Sequence, residues 1–482
     1  MALYLGIDFG TSTAKATVLD DNLRIICKVK ERLHLLNPQP GFYEVDPENT
    51  WWRTFIKMLN SIAKICQLEE IKAVCISSVC GSFVPVDEFL KPTYNAILYG
   101  IDTRAAEIVN RLNKLFDYEY LISTLGSRFT THSVIPKFLW LKEKMPNVYK
   151  KTTYFVESTN YITSKLTGVV TWDLPTASGC QLVDLVNLDY PTKIIETVGL
   201  DSNKLPKLGW PTQVLGTVSK TAARLTGLKE GTKVMIGTCD IYAEAVGCGV
   251  VNPGDLLLVL GSTTSIFLHT DSLVFVEGFS TGVSLWPGLY KLGGATSSGA
   301  RFVEALQKLL RPLRGKIVST HTNLPTGLII LPYLDGARCP YHNPSAVGVI
   351  YGLKSDTKLE DFHVALLESL AIEIAVAITR LANCAPYNSP VHVTGGLSNI
   401  EFVTHLLANV LDDVIVVHHG IDASVGDAVI AAIFSSTIER PFIGVNHFTT
   451  TVLPEKDIAN KYRPLIKKYD LIYNHLLPIM ST

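Results

Sequence analysis

The stretch LGIDFGTSTAKATVLD, residues 5 to 20, brings Asp8, Gly10, Thr11, Ser12, Thr13 and Lys15 into one short segment. Glycine lets a backbone approach a ligand closely, and serine or threonine hydroxyls with exposed N–H groups donate to phosphate oxygens. Residues 255 to 269 repeat the plan: DLLLVLG, ending at Gly261, is followed by Ser262, Thr263 and Thr264, then SIFLH. One such stretch alone also reads as a tight turn. Two of them, with Asp8 in the first strand, point to a polyphosphate gripped from two sides.

Other phosphate chemistries fall away. Asp8, Phe9 and Gly10 spell the magnesium-binding letters of protein kinases, but no G-x-G-x-x-G loop precedes them and no H-R-D loop follows. Neither G-x-x-x-x-G-K-[ST] nor a G-x-G-x-x-G placed after a strand occurs.

The elements that must position these residues read as strands alternating with longer helical patterns, which is α/β architecture. YLGIDFG and AKATVLD form an opening hairpin, RIICKVKERL a third strand, and IKAVCISSV a buried one. Asp46 and Pro47 suit the start of a helix over DPENTWWRTFIKMLNSIAKI. Residues 234 to 270 join the two halves and end in the second hairpin. Asp240 precedes IYAEAVG, a helical pattern, and so also suits a helix N-cap.

A length of 482 residues predicts two large domains, 1–246 and 247–482. The composition, 47% hydrophobic and 18% charged, is that of a globular protein without low-complexity tracts. With 43 Lys and Arg against 44 Asp and Glu, no global field draws the chain to nucleic acid or an anionic membrane, so a small-molecule partner is expected. No basic segment precedes the apolar start and no apolar run approaches a membrane span, which predicts a cytoplasmic protein. Nine cysteines lack a C-x-x-C pair and are expected to pack as small buried hydrophobes. His418 and His419 have no acidic or cysteine partner at ligand spacing and are expected at the surface.

Several separated stretches, in order, resemble the FGGY carbohydrate kinases of the actin-like ATPase superfamily. GIDFGTSTAK (6–15) resembles the first phosphate motif and KFLWLKE (137–143) the K-x-x-W signature; GTCDIYAEAVGCG (237–249) is similar to the segment with the catalytic aspartate. LGSTTSIF resembles the second phosphate motif. LPYLDGARCPYHNPSAVGVIYGL (331–353) resembles the second signature, especially as in xylulokinase-like members, and HVTGGLSNIEF (392–402) the adenosine-binding segment.

The resemblance implies two ribonuclease-H-like domains, each with a five-stranded mixed sheet, and a catalytic cleft between them where ATP and sugar meet. It implies that Asp240 takes the proton of the attacking sugar hydroxyl and that Asp8 orients Mg2+. Thr11, Ser12, Thr13 and Lys15 match triphosphate positions, with Ser262 and Thr263 opposing them; Gly299, Gly395, Gly396 and Asn399 match or neighbour nucleotide-binding positions. These roles suit phosphoryl transfer, which needs charge compensation and a carboxylate base more than covalent participation.

On the sugar side the chain departs from familiar members. SSVCGSFVPVD (77–87) lacks both the Gln-Met-His-Gly of xylulokinases and the Arg-Glu of glycerol kinases, so that Cys80, beside Gly81, stands where the xylulokinase histidine would be. His132 either faces the substrate or is an ordinary packed residue, and Asp102 with Arg104 either binds sugar or forms a structural ion pair. The substrate expected is a pentulose such as D-xylulose or D-ribulose, with gluconate or another polyol acid as runner-up. An actin- or chaperone-like ATPase switch that phosphorylates no sugar is the rival from another class, and a ligand-sensing pseudokinase is a third. A homodimer is left open. The segment from about 437 onward is expected to end in a helix packed back on the body.

Overall fold

The computed structural model describes residues 2–309, 324–435 and 448–480. They form two compact units, one of Met1–Gly249, Thr281–Tyr290 and Asp422–Asn446, the other of Val250–Ser280, Lys291–Ile421 and His447–Thr482. Thr281–Tyr290 and Asp422–Asn446 thus join the first unit from the second half of the chain. Pro441, in the expected C-terminal segment, lies outside the described residues.

In the first unit, the strand Leu3–Phe9 is buried at every residue and is the centre of a mixed sheet. It pairs antiparallel with Thr13–Asp20 and parallel with Ile71–Ser78. The order runs Val214–Thr217, Lys233–Met235, Ile71–Ser78, Leu3–Phe9, Thr13–Asp20, Ile25–Arg32, with Thr238–Cys239 also pairing Ile71–Ser78. Seven strands thus replace the expected five, Val214–Thr217 extending one edge and Thr238–Cys239 continuing the line of Lys233–Met235 along the same neighbour. Asp46 caps the first helical segment through the Asn49 N–H, with Pro47 in its first turn, as the sequence predicts.

One helix of this unit comes from far along the chain. Ala423–Phe434 lies on the central strand at Gly6, where a Cβ would stand 2.1 Å from the Ser424 carbonyl oxygen and 2.2 Å from the Ala428 nitrogen. At Gly426 it meets the helix Asp240–Cys248 so closely that a Cβ would stand 1.6 Å from the Ala243 carbonyl oxygen. These two glycines are packing devices: they let backbone lie on backbone.

In the second unit the sheet order runs Tyr290–Ala295, Thr264–Thr270, Leu256–Leu260, Val391–Thr394, Ile415–His418, Thr449–Val452, again more than five. The helix Leu359–Ala382 is its core element. It is long and apolar enough to cross a membrane, but 83% of that window is buried inside the unit, where it packs as a core helix of the sheet. The helix Lys456–Met480 packs back on it as expected, with Tyr462 donating to Glu368 and Tyr469 bonded to Tyr333. The signature stretch 331–353 is bounded by two paired strands, Ile329–Leu331 and Val349–Tyr351.

Candidate active site

In the first unit the register of the opening hairpin sets Asp8 opposite Lys15 on one side and Ser77 on the other. The turn is closed by the Gly10 N–H donating to the Thr13 carbonyl at 3.0 Å, which leaves Ser12 exposed and Thr11 partly so. The Thr11 hydroxyl lies 3.3 Å from that of Tyr99. Asp240 opens the helix Asp240–Cys248; the N-cap itself is Cys239, so Asp240 is the first helical residue, its Oδ1 accepting from the Ile241 N–H. Helix-dipole logic favours a carboxylate there. Gly237, at φ +83°, forms the turn that leads into it, where a Cβ would stand 2.3 Å from the Ile76 carbonyl oxygen.

These groups form one electrostatic cluster. Burial first, then repulsion from Asp240, pushes the Asp8 carboxyl up to about 8, against the pull of Lys15. Burial raises Asp240 to about 6. Glu244, one turn further along the helix, is held well above the usual carboxylate range by burial and by repulsion from Asp240 and Asp8. Lys15, with its side chain 35% exposed, sits 3.8 Å from Asp422 and attracts all four carboxylates. Asp422 stays below its ordinary value despite burial because Lys28 and Lys15 face it. Behind Asp8, the Ser77 hydroxyl lies 3.4 Å from its Oδ1 and donates to Asp427 at 2.6 Å. Glu244, Asp422 and Asp427 were not singled out in the sequence; the small-residue, apolar helix ASVGDAVIAAIF, with Asp427 inside it and Asp422 just before it, was the available signal for the last two.

This donor set fits a hard divalent cation. Carboxylate oxygens are the ligands Mg2+ takes, usually one or two with retained waters, and the mutually repelling Asp8, Asp240 and Glu244 have only Lys15 to offset them among the described residues.

The sugar-side expectations fare differently. Asp102 is wholly buried: Arg104 grips both of its oxygens at 2.8 to 3.0 Å and the Tyr43 N–H donates to it at 2.7 Å. Arg104 also reaches Glu44 at 2.9 Å and lies over the rings of Phe42 and Trp140. Of the two readings open for Asp102 and Arg104, the structure contains the ion pair, which ties this loop together. Lys137 of the K-x-x-W signature is likewise structural, buried on the helix Ile135–Lys144 with its ammonium donating to the Leu98 and Tyr99 carbonyls at 2.6 and 2.9 Å. It thereby holds Tyr99, whose ring meets His132 edge-on. His132, Cys80 and Gly81 are brought together: a Cβ on Gly81 would lie 3.2 Å from His132 Nε2.

In the second unit, Gly261, Ser262 and Thr263 form the turn between Leu256–Leu260 and Thr264–Thr270, closed by the Gly261 N–H on the Thr263 carbonyl at 3.1 Å. Gly299 presses on it; a Cβ there would stand 2.5 Å from the Ser262 carbonyl oxygen. Beneath it, Ser298 donates to the buried Glu373, which burial raises to about 7. Gly395, at φ +102°, touches the backbone of Leu260, and Gly396 and Asn399 are on the short helix that follows. All seven nucleotide candidates of this unit thus border one strand end or its neighbour. His418 is corrected to a buried residue, 2.8 Å from His392, because it closes an interior strand; His419 bonds Thr450. Cys384 alone among the cysteines is exposed, Cys66 and Cys80 being half-buried and the rest buried.

The FGGY family of carbohydrate kinases matches in both of its domains, the N-terminal one over residues 3–247 and the C-terminal one over 256–435. A xylulose kinase of Bacillus subtilis is 25% identical over 98% of this chain and 97% of its own, and a gluconokinase of the same organism 22% identical over 96% and 94%. The crystal structure of a xylulose kinase from Rhodospirillum rubrum superposes with a TM-score of 0.92 at 23% identity, covering all of both chains. The fold is that of the two-domain actin-like ATPases, and a switch ATPase without a sugar is set aside. The chain belongs to the FGGY family of carbohydrate kinases and is a sugar kinase of xylulokinase-like type.

Proposed function

We propose that this sugar kinase transfers the γ-phosphoryl group of ATP to a hydroxyl of a pentulose such as D-xylulose or D-ribulose, with Asp240 as general base, and that it works in the cytoplasm. The observation that carries the reading is the Asp240 carboxylate, half-buried at a helix start and raised to about 6. At neutral pH it is ionised, yet it is basic enough to accept a proton from an attacking hydroxyl, the match a general base needs. Asp8, with Asp240 beside it, would hold Mg2+, which when bound supplies charge compensation for the phosphates. Gly10, Thr11, Ser12 and Thr13 offer backbone and hydroxyl donors to phosphate oxygens, Lys15 a cation. Gly261, Ser262 and Thr263 offer the same kind of donors from the second unit, while Gly299, Gly395, Gly396 and Asn399 would receive the nucleotide. Cys80, Gly81 and His132 would line the sugar side.

The pentulose reading is supported by the xylulose kinase relatives. An aldonic acid such as gluconate is the second reading, favoured by Cys80 in place of the xylulokinase histidine and by the gluconokinase relative. Coupled measurement of ADP release with Mg-ATP across pentuloses, hexuloses, polyols and aldonic acids tests both. Strong stimulation by one pentulose is expected; stimulation by an aldonic acid alone would replace the substrate while leaving the class.

A further inference from the structure

Two residues of the sugar side, Cys80 and His132, also belong with Cys180 to a cluster of metal-ligand types that phosphoryl transfer itself does not call for. Cys80, in the turn after Ile71–Ser78, Cys180, at the C-cap of the helix Leu174–Gly179, and His132, ahead of Ile135–Lys144, each bring a ligand atom within 4.8 Å of the other two. The two sulfurs are 3.8 Å apart. Residues 80, 132 and 180 come from three separate elements of one unit, so no spacing rule in the sequence reveals them.

The backbone around the cluster is cut to fit it. Gly81 sits at φ +85°, and a Cβ there would fall 3.2 Å from both Cys180 Sγ and His132 Nε2, filling the space between them. Gly179 crosses Cys80 in the same way, its Cβ position 3.4 Å from the sulfur. On the far side of the imidazole, a Cβ on Gly100 would stand 3.3 Å from Nδ1. Three glycines therefore clear the volume that these ligand atoms enclose and edge. The Cys239 thiol lies near enough to that of Cys80 for each to influence the other's proton.

We propose that Cys80, Cys180 and His132 form a binding site for a thiophilic divalent cation of the zinc class, separate from the carboxylate site at Asp8. Two sulfurs and an imidazole are a donor set that zinc accepts and magnesium does not. Two thiolates bound to one tetrahedral ion at about 2.3 Å stand roughly 3.8 Å apart, the separation already present between these sulfurs. The two thiols are held protonated by their surroundings, so binding releases their protons to solvent as the metal–sulfur bonds form. The proposal goes beyond the kinase reading and does not rest on it.

The test uses full-length, metal-free protein kept reduced by a phosphine and titrated with Co2+, then Zn2+. One equivalent of Co2+ should produce a near-ultraviolet thiolate-to-cobalt charge-transfer band, and one equivalent of Zn2+ should abolish it. Cobalt at the carboxylate site gives no such band, so the two sites are distinguished without reference to turnover. Cys180→Ser and Cys80→Ser should each cut the band to half or less and weaken zinc binding at least 10–100-fold, the loss that even outer-shell changes bring at metal sites. Circular dichroism checks the fold of each; if the buried Cys180 variant unfolds, the half-buried Cys80 variant carries the result. Absence of the band in wild type, or its undiminished persistence in a folded cysteine variant, overturns the proposal.

Discussion

Replacing Asp8 by asparagine should make the ligand-free protein more stable at alkaline pH. The Asp8 carboxyl is 6% exposed and is pushed from 3.8 up to about 8 by burial and by Asp240. The folded state therefore holds this proton more tightly than the unfolded chain does. Stability is lost as pH rises from the unfolded value through the folded one, at about 1.4 kcal/mol per pH unit inside that window. Between pH 5 and pH 8 the loss from Asp8 alone is about 3 to 4 kcal/mol, or roughly 6 °C or more in the thermal midpoint of a unit this size. The asparagine amide titrates nowhere in this range, so the variant should lack this part of the pH slope. Thermal unfolding of wild type and Asp8→Asn at pH 5, 6.5 and 8, with and without millimolar Mg2+, reads it. Mg2+ should stabilise wild type at pH 8 and leave the variant nearly unmoved. Parallel pH slopes for the two proteins, or equal Mg2+ effects, would refute the reasoning.

Three further outcomes follow from the same geometry. With Asp240 raised to about 6 by burial, kcat/KM for the activating sugar should fall as pH drops through about 6, because a base must be ionised; a profile flat to pH 5 would remove that assignment. Gly426→Ala places a methyl 1.6 Å from the Ala243 carbonyl oxygen, so the two helices must part. A loss of more than about 3 kcal/mol is expected by calorimetry, in the range of severe core disruption; a change under about 1 kcal/mol would mean that the helices slide apart freely. Lys137→Met deletes both bonds that hold the Leu98 and Tyr99 carbonyls, and steady-state kinetics should show the sugar KM rising on the order of tenfold with the ATP KM unchanged; equal effects on both would contradict a sugar-side role.

What was legible in the sequence was local. The hairpin with Asp8 and Lys15 is an uninterrupted segment whose register follows from alternation, so strand, turn and facing residues could be read directly. Asp240 is legible locally as a helix start, although the cap itself is Cys239, and its catalytic role comes from the family resemblance. What escaped is made by contacts between distant segments. Nothing near Gly6 shows that a helix beginning at residue 423 will lie on it, nor that Asp422 and Asp427 will come to Lys15 and Ser77. Asp102 and Arg104 could be read either way because Glu44 and the Tyr43 N–H, which fix the pair as structural, belong to another strand and its approach. His418 looked exposed because a histidine pair at a strand end is polar in isolation; His392 on the neighbouring strand supplies its partner. Most cysteines fit the expectation of small buried residues individually, and only the fold reveals that two of them, Cys80 and Cys180, gather beside His132.

The most direct test of the central claim is single-turnover phosphoryl transfer by wild type and Asp240→Ala, each saturated with Mg-ATP and the activating sugar. A positioned general base contributes roughly 10²–10⁴ in rate, so the variant should lose at least a hundredfold while binding a fluorescent ATP analogue within about twofold of wild type. Transfer within about tenfold of wild type in a folded variant would contradict Asp240 as the base.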